Sequence, residues 1–235
     1  MMENYTLFYC GDGTFRRGSC REEREQLVDV QLGGTVAPAG IRGEGSIVTM
    51  TGFTFETSAD IALVVPGGTT LVLERGVSAL RIVPAGPDAN TAALYSSGDL
   101  TITGGEGTLV CDATATSAET TLWSRCICAR YGDLTITGGH IVAHCGPCSR
   151  NAGAVYAGGR LFGGENEHGA ITITGGTVRG MSKPQTIRAT NTLLTIGPNS
   201  VVENAQEFAG SVEEFHGDCL SMADETSDVV VSFRS

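Results

Sequence analysis

The sequence is short of charge, of aromatic rings and above all of lysine. Only 17% of its 235 residues are Asp, Glu, Lys or Arg, against about 25% in an average soluble protein. Lys183 is the single lysine, and 26 acidic residues against 15 basic ones leave a net charge of −11. A nucleic-acid surface needs a basic patch that releases counterions, so that class of partner is excluded. No run of 18 apolar residues occurs, which excludes a membrane-spanning helix. Residues Met1 to Thr6 lack a basic stretch followed by an apolar one, so no signal peptide is expected in this chain. Aromatics make up 6%, too few for a core built around large rings. Eight cysteines, about 3% (8/235), fall below the density of a disulfide-scaffolded miniprotein. Their even number permits bridges without requiring them.

Glycine is what the chain has in excess: 33 of 235 residues, about 14%, roughly double average usage. No triplet period accompanies it, which excludes collagen, and a hydrophobic content of 41% is too high for a disordered chain. An ordered, glycine-punctuated β protein remains.

The glycines belong to a repeat. Gly98-Asp99-Leu100-Thr101-Ile102-Thr103-Gly104-Gly105 returns as Gly132-Asp133-Leu134-Thr135-Ile136-Thr137-Gly138-Gly139. It returns again as Gly169-Ala170-Ile171-Thr172-Ile173-Thr174-Gly175-Gly176, and in degenerate form as Leu193-Leu194-Thr195-Ile196-Gly197. Period-2 alternation puts the aliphatics on one face of a strand and the threonines on the other. The Gly-Gly pair supplies a sharp turn. Two further short strands flank each copy: Ala93-Leu94-Tyr95, Ile127-Cys128-Ala129 and Ala154-Val155-Tyr156 before, Thr108-Leu109-Val110, His140-Ile141-Val142 and Thr177-Val178-Arg179 after. This alignment sets Cys128 level with the inward Leu94 and Val155.

A three-stranded unit cannot bury its aliphatic face alone, whereas stacked units can. Leu100, Leu134, Ile171 and Leu194 form one expected interior column, and Ile102, Ile136, Ile173 and Ile196 its neighbour. The expected fold class is therefore all-β, a right-handed parallel β-helix solenoid, the hand following the general crossover preference. Residues 33–235 are assigned to it, with regular coils at about 90–200, two looser coils before them and a last one ending at Val229–Phe233. Residues 1–32 are assigned to an N-terminal cap segment. Within it Ser19-Cys20-Arg21-Glu22 is a capping box before good helix formers, predicting a short N-terminal capping helix over 19–28. A second short helix is expected from Glu203 to Phe208.

The Gly-Asp-Leu-Thr-Ile-Thr-Gly-Gly wording resembles the bacterial carbohydrate-binding β-helix domains of the pectate-lyase-like superfamily, over roughly residues 90–200. The resemblance implies an extracellular or cell-surface protein that binds plant-type or acidic polysaccharide, sometimes with calcium. Members often carry acidic residues on the strand before each Gly-Asp-Leu. This chain has Ala93-Leu94-Tyr95-Ser96 and its counterparts there, and no catalytic residue carries over.

Three constellations could carry chemistry. Asp99 and Asp133 occupy equivalent positions, so stacking brings them about 4.8 Å apart. Either a Ca²⁺ ion shared with turn carbonyls or an Asx-type bond within each turn would relieve their repulsion. Tyr95 and Tyr156 should face outward beside Leu94 and Val155, with Trp123, Tyr131 and Phe162 in neighbouring turns. They form either a sugar-stacking platform or a shield beneath folded-back loops. Cys145-Gly146-Pro147-Cys148 spells a dithiol motif but follows a strand rather than opening a helix, which favours a loop dithiol, a disulfide or a plain turn over redox catalysis. His140, His144, Cys126 and Cys128 add possible zinc ligands, although His140 and His144 lie roughly 13 Å apart on a straight strand. Asp88, Asp112, Glu165, Glu167, Arg130 and Arg160 are available for acid–base work, but their spacing does not group them. Three functions follow: a non-catalytic carbohydrate-binding or cell-surface adhesion protein recognising a polysaccharide, a polysaccharide lyase or glycoside hydrolase, or a structural surface spacer.

Overall fold

The computed structural model describes residues 2–23, 26–83, 90–113, 123–145, 151–160, 166–167, 169–181, 187–189, 194–197 and 199–204. Among them the chain is all-β, with no helix. It opens with β1 (Thr6–Tyr9), β2 (Phe15–Glu23), β3 (Gln26–Val36) and β4 (Ile41–Glu44). From there it passes repeatedly round three faces. The first passage is β5 (Ile47–Met50), β6 (Thr54–Thr57) and β7 (Ile61–Val65), and the second is β8 (Thr69–Leu73), β9 (Gly76–Ile82) and β10 (Thr91–Ser96). The third is β11 (Leu100–Gly104), β12 (Gly107–Ala113) and β13 (Trp123–Arg130); the fourth is β14 (Leu134–Ile136), β15 (His140–Cys145) and β16 (Asn151–Arg160). After the two-residue β17 (Asn166–Glu167) come β18 (Ile171–Ile173), β19 (Gly176–Met181) and β20 (Ile187–Ala189), then β21 (Leu194–Ile196) and β22 (Ser200–Asn204).

From β5 on, each strand except β17 pairs in parallel with the strand on the same face of the neighbouring passage. The first face runs β5-β8-β11-β14-β18-β21, the second β6-β9-β12-β15-β19-β22 and the third β7-β10-β13-β16-β20. This order is consistent with a parallel β-helix. The repeat fixes the register: Leu100 stands level with Leu134, Ile171 and Leu194, and Ile102 with Ile136, Ile173 and Ile196. The second column extends upstream through Leu71 to Val48. Val48, Leu71, Ile102, Ile136 and Ile173 are fully buried, and each buried aliphatic stabilises by roughly 1.5–3 kcal/mol. In the second copy both glycines of the pair are needed. A Cβ at Gly138 would run into the Gly104 carbonyl of the passage below, while Gly139 has φ +87°, open to glycine at no steric cost.

The structure corrects the expected N-terminal helix. Residues 19–23 belong to β2 and 26–28 to β3, and the two strands pair antiparallel through Arg21–Val28, Glu22–Leu27 and Glu23–Gln26. β1 pairs in parallel with β7 and offers its other edge to β2. That ladder also buries Glu22 and half-buries Cys20 while Arg21 and Glu23 stay exposed. Helix propensities differ by only tenths of a kcal/mol per residue, so an open strand edge overrides them. Glu203 and Asn204 likewise end β22, paired with β19, rather than begin a helix. Residues 205–208 and Val229–Phe233 lie outside the described residues.

One phase differs by a residue. Leu94 and Val155 stand level with Ile127, and Cys128 stands level with Tyr95 and Tyr156. A one-residue slip moves every side chain to the opposite face, and the observed phase sends the larger Ile127 inward.

Candidate functional site

Tyr95 and Tyr156 do sit on the outer side of the third face, but neither reaches solvent: they are 2% and 3% exposed. They pack in a second apolar cluster with Phe8, Ile61, Val64, Ala92 and Cys128, against which Cys20 and Leu27 of the β2–β3 pair lean. Register shifts within that pair, between Arg16 and Gly18 and between Ser19 and Arg21, are irregularities of the kind that bend a strand. Asn90 Nδ2 donates to the Glu22 carbonyl at 3.0 Å, and Arg125 Nη1 meets Glu22 Oε1 at 3.0 Å with both side chains buried. The Arg125 guanidinium lies 4.2 Å from the centre of the Tyr156 ring, and Arg130 donates to the Tyr156 hydroxyl at 3.2 Å. Burial pushes the Tyr95 hydroxyl well above its usual range and the Cys128 thiol up to about 11. This side of the third face is a folded-over core rather than an open platform. Tyr131 stands apart, half-buried at φ +60° with Arg130 over its ring. Trp123 begins β13 with its side chain outside the described residues, as is Phe162.

Asp99 and Asp133 are exposed and make a ladder between passages. Asp99 Oδ1 accepts from the Asp133 N–H at 2.9 Å, and Asp133 Oδ1 accepts from the Ala170 N–H at 2.8 Å. Each carboxylate therefore caps the turn of the next passage instead of its own.

The remaining constellations separate. On β15, His140 is exposed and His144 half-buried, while Ile141, Ala143 and Cys145 are buried. Alternation thus puts the histidines and Cys145 on opposite sides of one strand. Among the described residues no three His, Cys, Asp or Glu side chains converge as a metal would require. Cys145 enters the interior, 2.9 Å from Cys126 sulfur to sulfur, so it is no half of an exposed loop dithiol. Cys148, Asp88 and Glu165 lie outside the described residues. Arg130 is fully buried, and Asp112 is half-buried on β12.

A cleft that no motif announced lies at the start of the first face. Gly40, Ile41, Arg42, Thr49, Thr51 and Glu74 line an open cleft of about 370 Å³. Gly40 builds its corner: its φ is +82°, its carbonyl accepts from the Thr51 N–H at 2.7 Å, and a Cβ there would press on the Thr51 carbonyl. β4 then pairs antiparallel with β5, bringing Arg42 level with Thr49, and β5 pairs in parallel with β8, just before Glu74. Arg42 Nη2 donates to Glu74 Oε1 at 2.7 Å, and the Thr51 hydroxyl donates to Glu74 Oε2 at 2.6 Å. The Thr51 hydroxyl, and after it Arg42, hold the Glu74 carboxyl below its ordinary value. Ile41 borders the cleft from below, its side chain turned into the core level with Met50. An exposed ion pair of this kind adds little to stability, so its members can re-pair with a ligand at little cost.

No family model matches the chain, and no curated protein matches it. Among solved structures it is similar to a polysaccharide lyase-like protein from C. thermocellum, in its gadolinium derivative. The two are 18% identical with a TM-score of 0.40, over 86% of this chain and 95% of the other.

Proposed function

We propose that this protein binds polysaccharide without cleaving it, on a right-handed parallel β-helix displayed at the cell surface or outside the cell. The observation that carries the proposal is the cleft of Arg42, Thr51 and Glu74 beside Ile41. Neighbouring sugar hydroxyls ask for a donor and an acceptor side by side, which a guanidinium and a carboxylate provide. Beyond the cleft, the outer side of the first face continues as a threonine ladder in which Thr70, Thr101, Thr135, Thr172 and Thr195 stand in register. Steps of about 4.8 Å between uncharged hydroxyl and methyl groups give a linear polymer a track to follow.

Affinity electrophoresis in gels cast with neutral and acidic plant polysaccharides tests this. Retardation by at least one polysaccharide is expected, lost in Arg42→Ala and in Glu74→Ala while both variants keep their melting temperature. Unretarded migration on every polysaccharide would overturn the proposal. New reducing ends or unsaturated products in the same mixtures would replace binding by catalysis.

A further inference from the structure

Three cysteines, Cys111 on β12, Cys126 on β13 and Cys145 on β15, lie inside the stack, each fully buried. Cys126 and Cys145 come from the third and second faces and meet across the interior, their sulfurs 2.9 Å apart and 19 residues distant in sequence. That separation is closer than two non-bonded sulfurs comfortably approach. Both sit on strands held in parallel ladders: Ile127 next to Cys126 is level with Leu94 and Val155, and Cys145 is level with Ala113. Cys111 is level with Ala143, not with Cys145. Geometry thus singles out one pair among the three.

We propose that Cys126 and Cys145 form a disulfide that is laid down while the chain folds in the presence of a small-molecule disulfide, closing the chain from β13 through β14 to β15 into a covalent ring. The chemistry is two exchanges. The thiolate of one cysteine attacks oxidised glutathione, forming a mixed disulfide and releasing one glutathione thiolate. The second cysteine, as its thiolate, attacks the protein sulfur of that mixed disulfide and displaces the other glutathione. Two protein thiols become one disulfide, and the two electrons and two protons end on two molecules of reduced glutathione.

The timing follows from burial. The attacking species is the thiolate, and burial raises the Cys126 thiol well above its usual range once the stack has closed. A fully buried sulfur also gives glutathione no line of approach. Exchange is therefore open in the unfolded and assembling chain and shut in the folded one. The pairing stands independently of saccharide binding, since neither sulfur touches the cleft.

The test uses the full chain, reduced and denatured, then refolded in a mixture of reduced and oxidised glutathione. After acid quenching and blocking of remaining thiols, tryptic digestion gives Cys126–Arg130 and Tyr131–Arg150 as separate peptides unless they are bridged. The expected product is those two peptides joined, lighter by two hydrogens, with fragmentation placing the bridge between Cys126 and Cys145. Protein first folded under reducing conditions and then given the same glutathione mixture for the same time should show at least a tenfold smaller linked fraction. Cys111→Ala should keep the bridge and Cys126→Ala should lose it. The absence of a linked peptide in refolded wild type would overturn the pairing. So would a bridge from Cys145 to Cys148 or to Cys111, or one placed at Cys128. Equal linkage in the pre-folded sample would overturn the timing. None of these wild-type outcomes depends on a variant folding.

Discussion

Replacing Glu22 by alanine should destabilise the protein more than any other single loss of a surface-segment side chain. Glu22 lies on β2 and its partner Arg125 on β13, 103 residues away. The two side chains are 3% and 1% exposed, so the guanidinium loses its carboxylate in a place water does not reach. Breaking a buried pair from one side costs about 3–5 kcal/mol, because the other charge stays desolvated. Arg125 keeps its contact with the Tyr156 ring, which puts the expected cost near the lower end, about 3 kcal/mol. For a chain of this length that lowers the melting temperature by roughly 6–12 °C. Glu22→Gln, which retains an oxygen acceptor, should cost less, and Glu22→Ala combined with Arg125→Met less than the two single changes added together. Thermal and urea unfolding of the four proteins measure the cycle, and limited proteolysis within residues 15–36 reports whether the β2–β3 pair has lifted. A cost below about 0.5 kcal/mol for Glu22→Ala, or strict additivity, would refute the claim that this pair fastens the segment over Tyr95 and Tyr156.

Further outcomes follow from the same geometry. Ile136→Ala removes part of an interior column and should cost about 2–5 kcal/mol. Thr135→Ala, on the outer side of the same strand, should stay within about 0.5 kcal/mol; equal costs in urea unfolding would contradict the assigned faces. Glu74 has its folded pKa lowered by Thr51 and Arg42, so its charged form persists as pH falls through the usual glutamate value of about 4.3 and is lost only below it. Saccharide retardation should therefore be level from pH 8 down to the usual glutamate range and fall only below it; a loss between pH 7 and 5 would point to another group. Asp99 and Asp133 already spend one oxygen each on a backbone N–H, and millimolar calcium should leave the melting temperature unchanged. A site filled at 100 times its Kd would add roughly 2.7 kcal/mol, or about 5–11 °C, which is readily seen.

The parts of the molecule that repeat were legible in the sequence because repetition carries the register with it. Leu-Thr-Ile-Thr-Gly-Gly states which side chains face inward, and three copies state what stacks on what. Where the wording varied, the phase was lost. Cys126-Ile127-Cys128 offers one large aliphatic between two sulfurs, and only the neighbours Leu94 and Val155 decide that Ile127 points in. Residues 19–28 carry a genuine helix signal, overridden by an edge that β1 leaves open five residues after the chain begins. The tyrosines were placed on the right side of their strands, but the segment that covers them is held by Glu22, whose partner no local pattern could name. The cleft was invisible for a similar reason. Arg42, Thr51 and Glu74 belong to no common motif and meet only because β4 turns back on β5 while β8 stacks beside it.

Saccharide binding at that cleft is tested most directly by a chemical-shift map. The backbone amide signals of isotope-labelled protein are followed while a polysaccharide fragment, chosen by the gel screen, is titrated in. The largest shifts should fall at Gly40, Ile41, Arg42, Thr51 and Glu74, with smaller ones trailing along Thr70 and Thr101. Shifts confined to the third face, or none at saturating saccharide, would contradict the assignment.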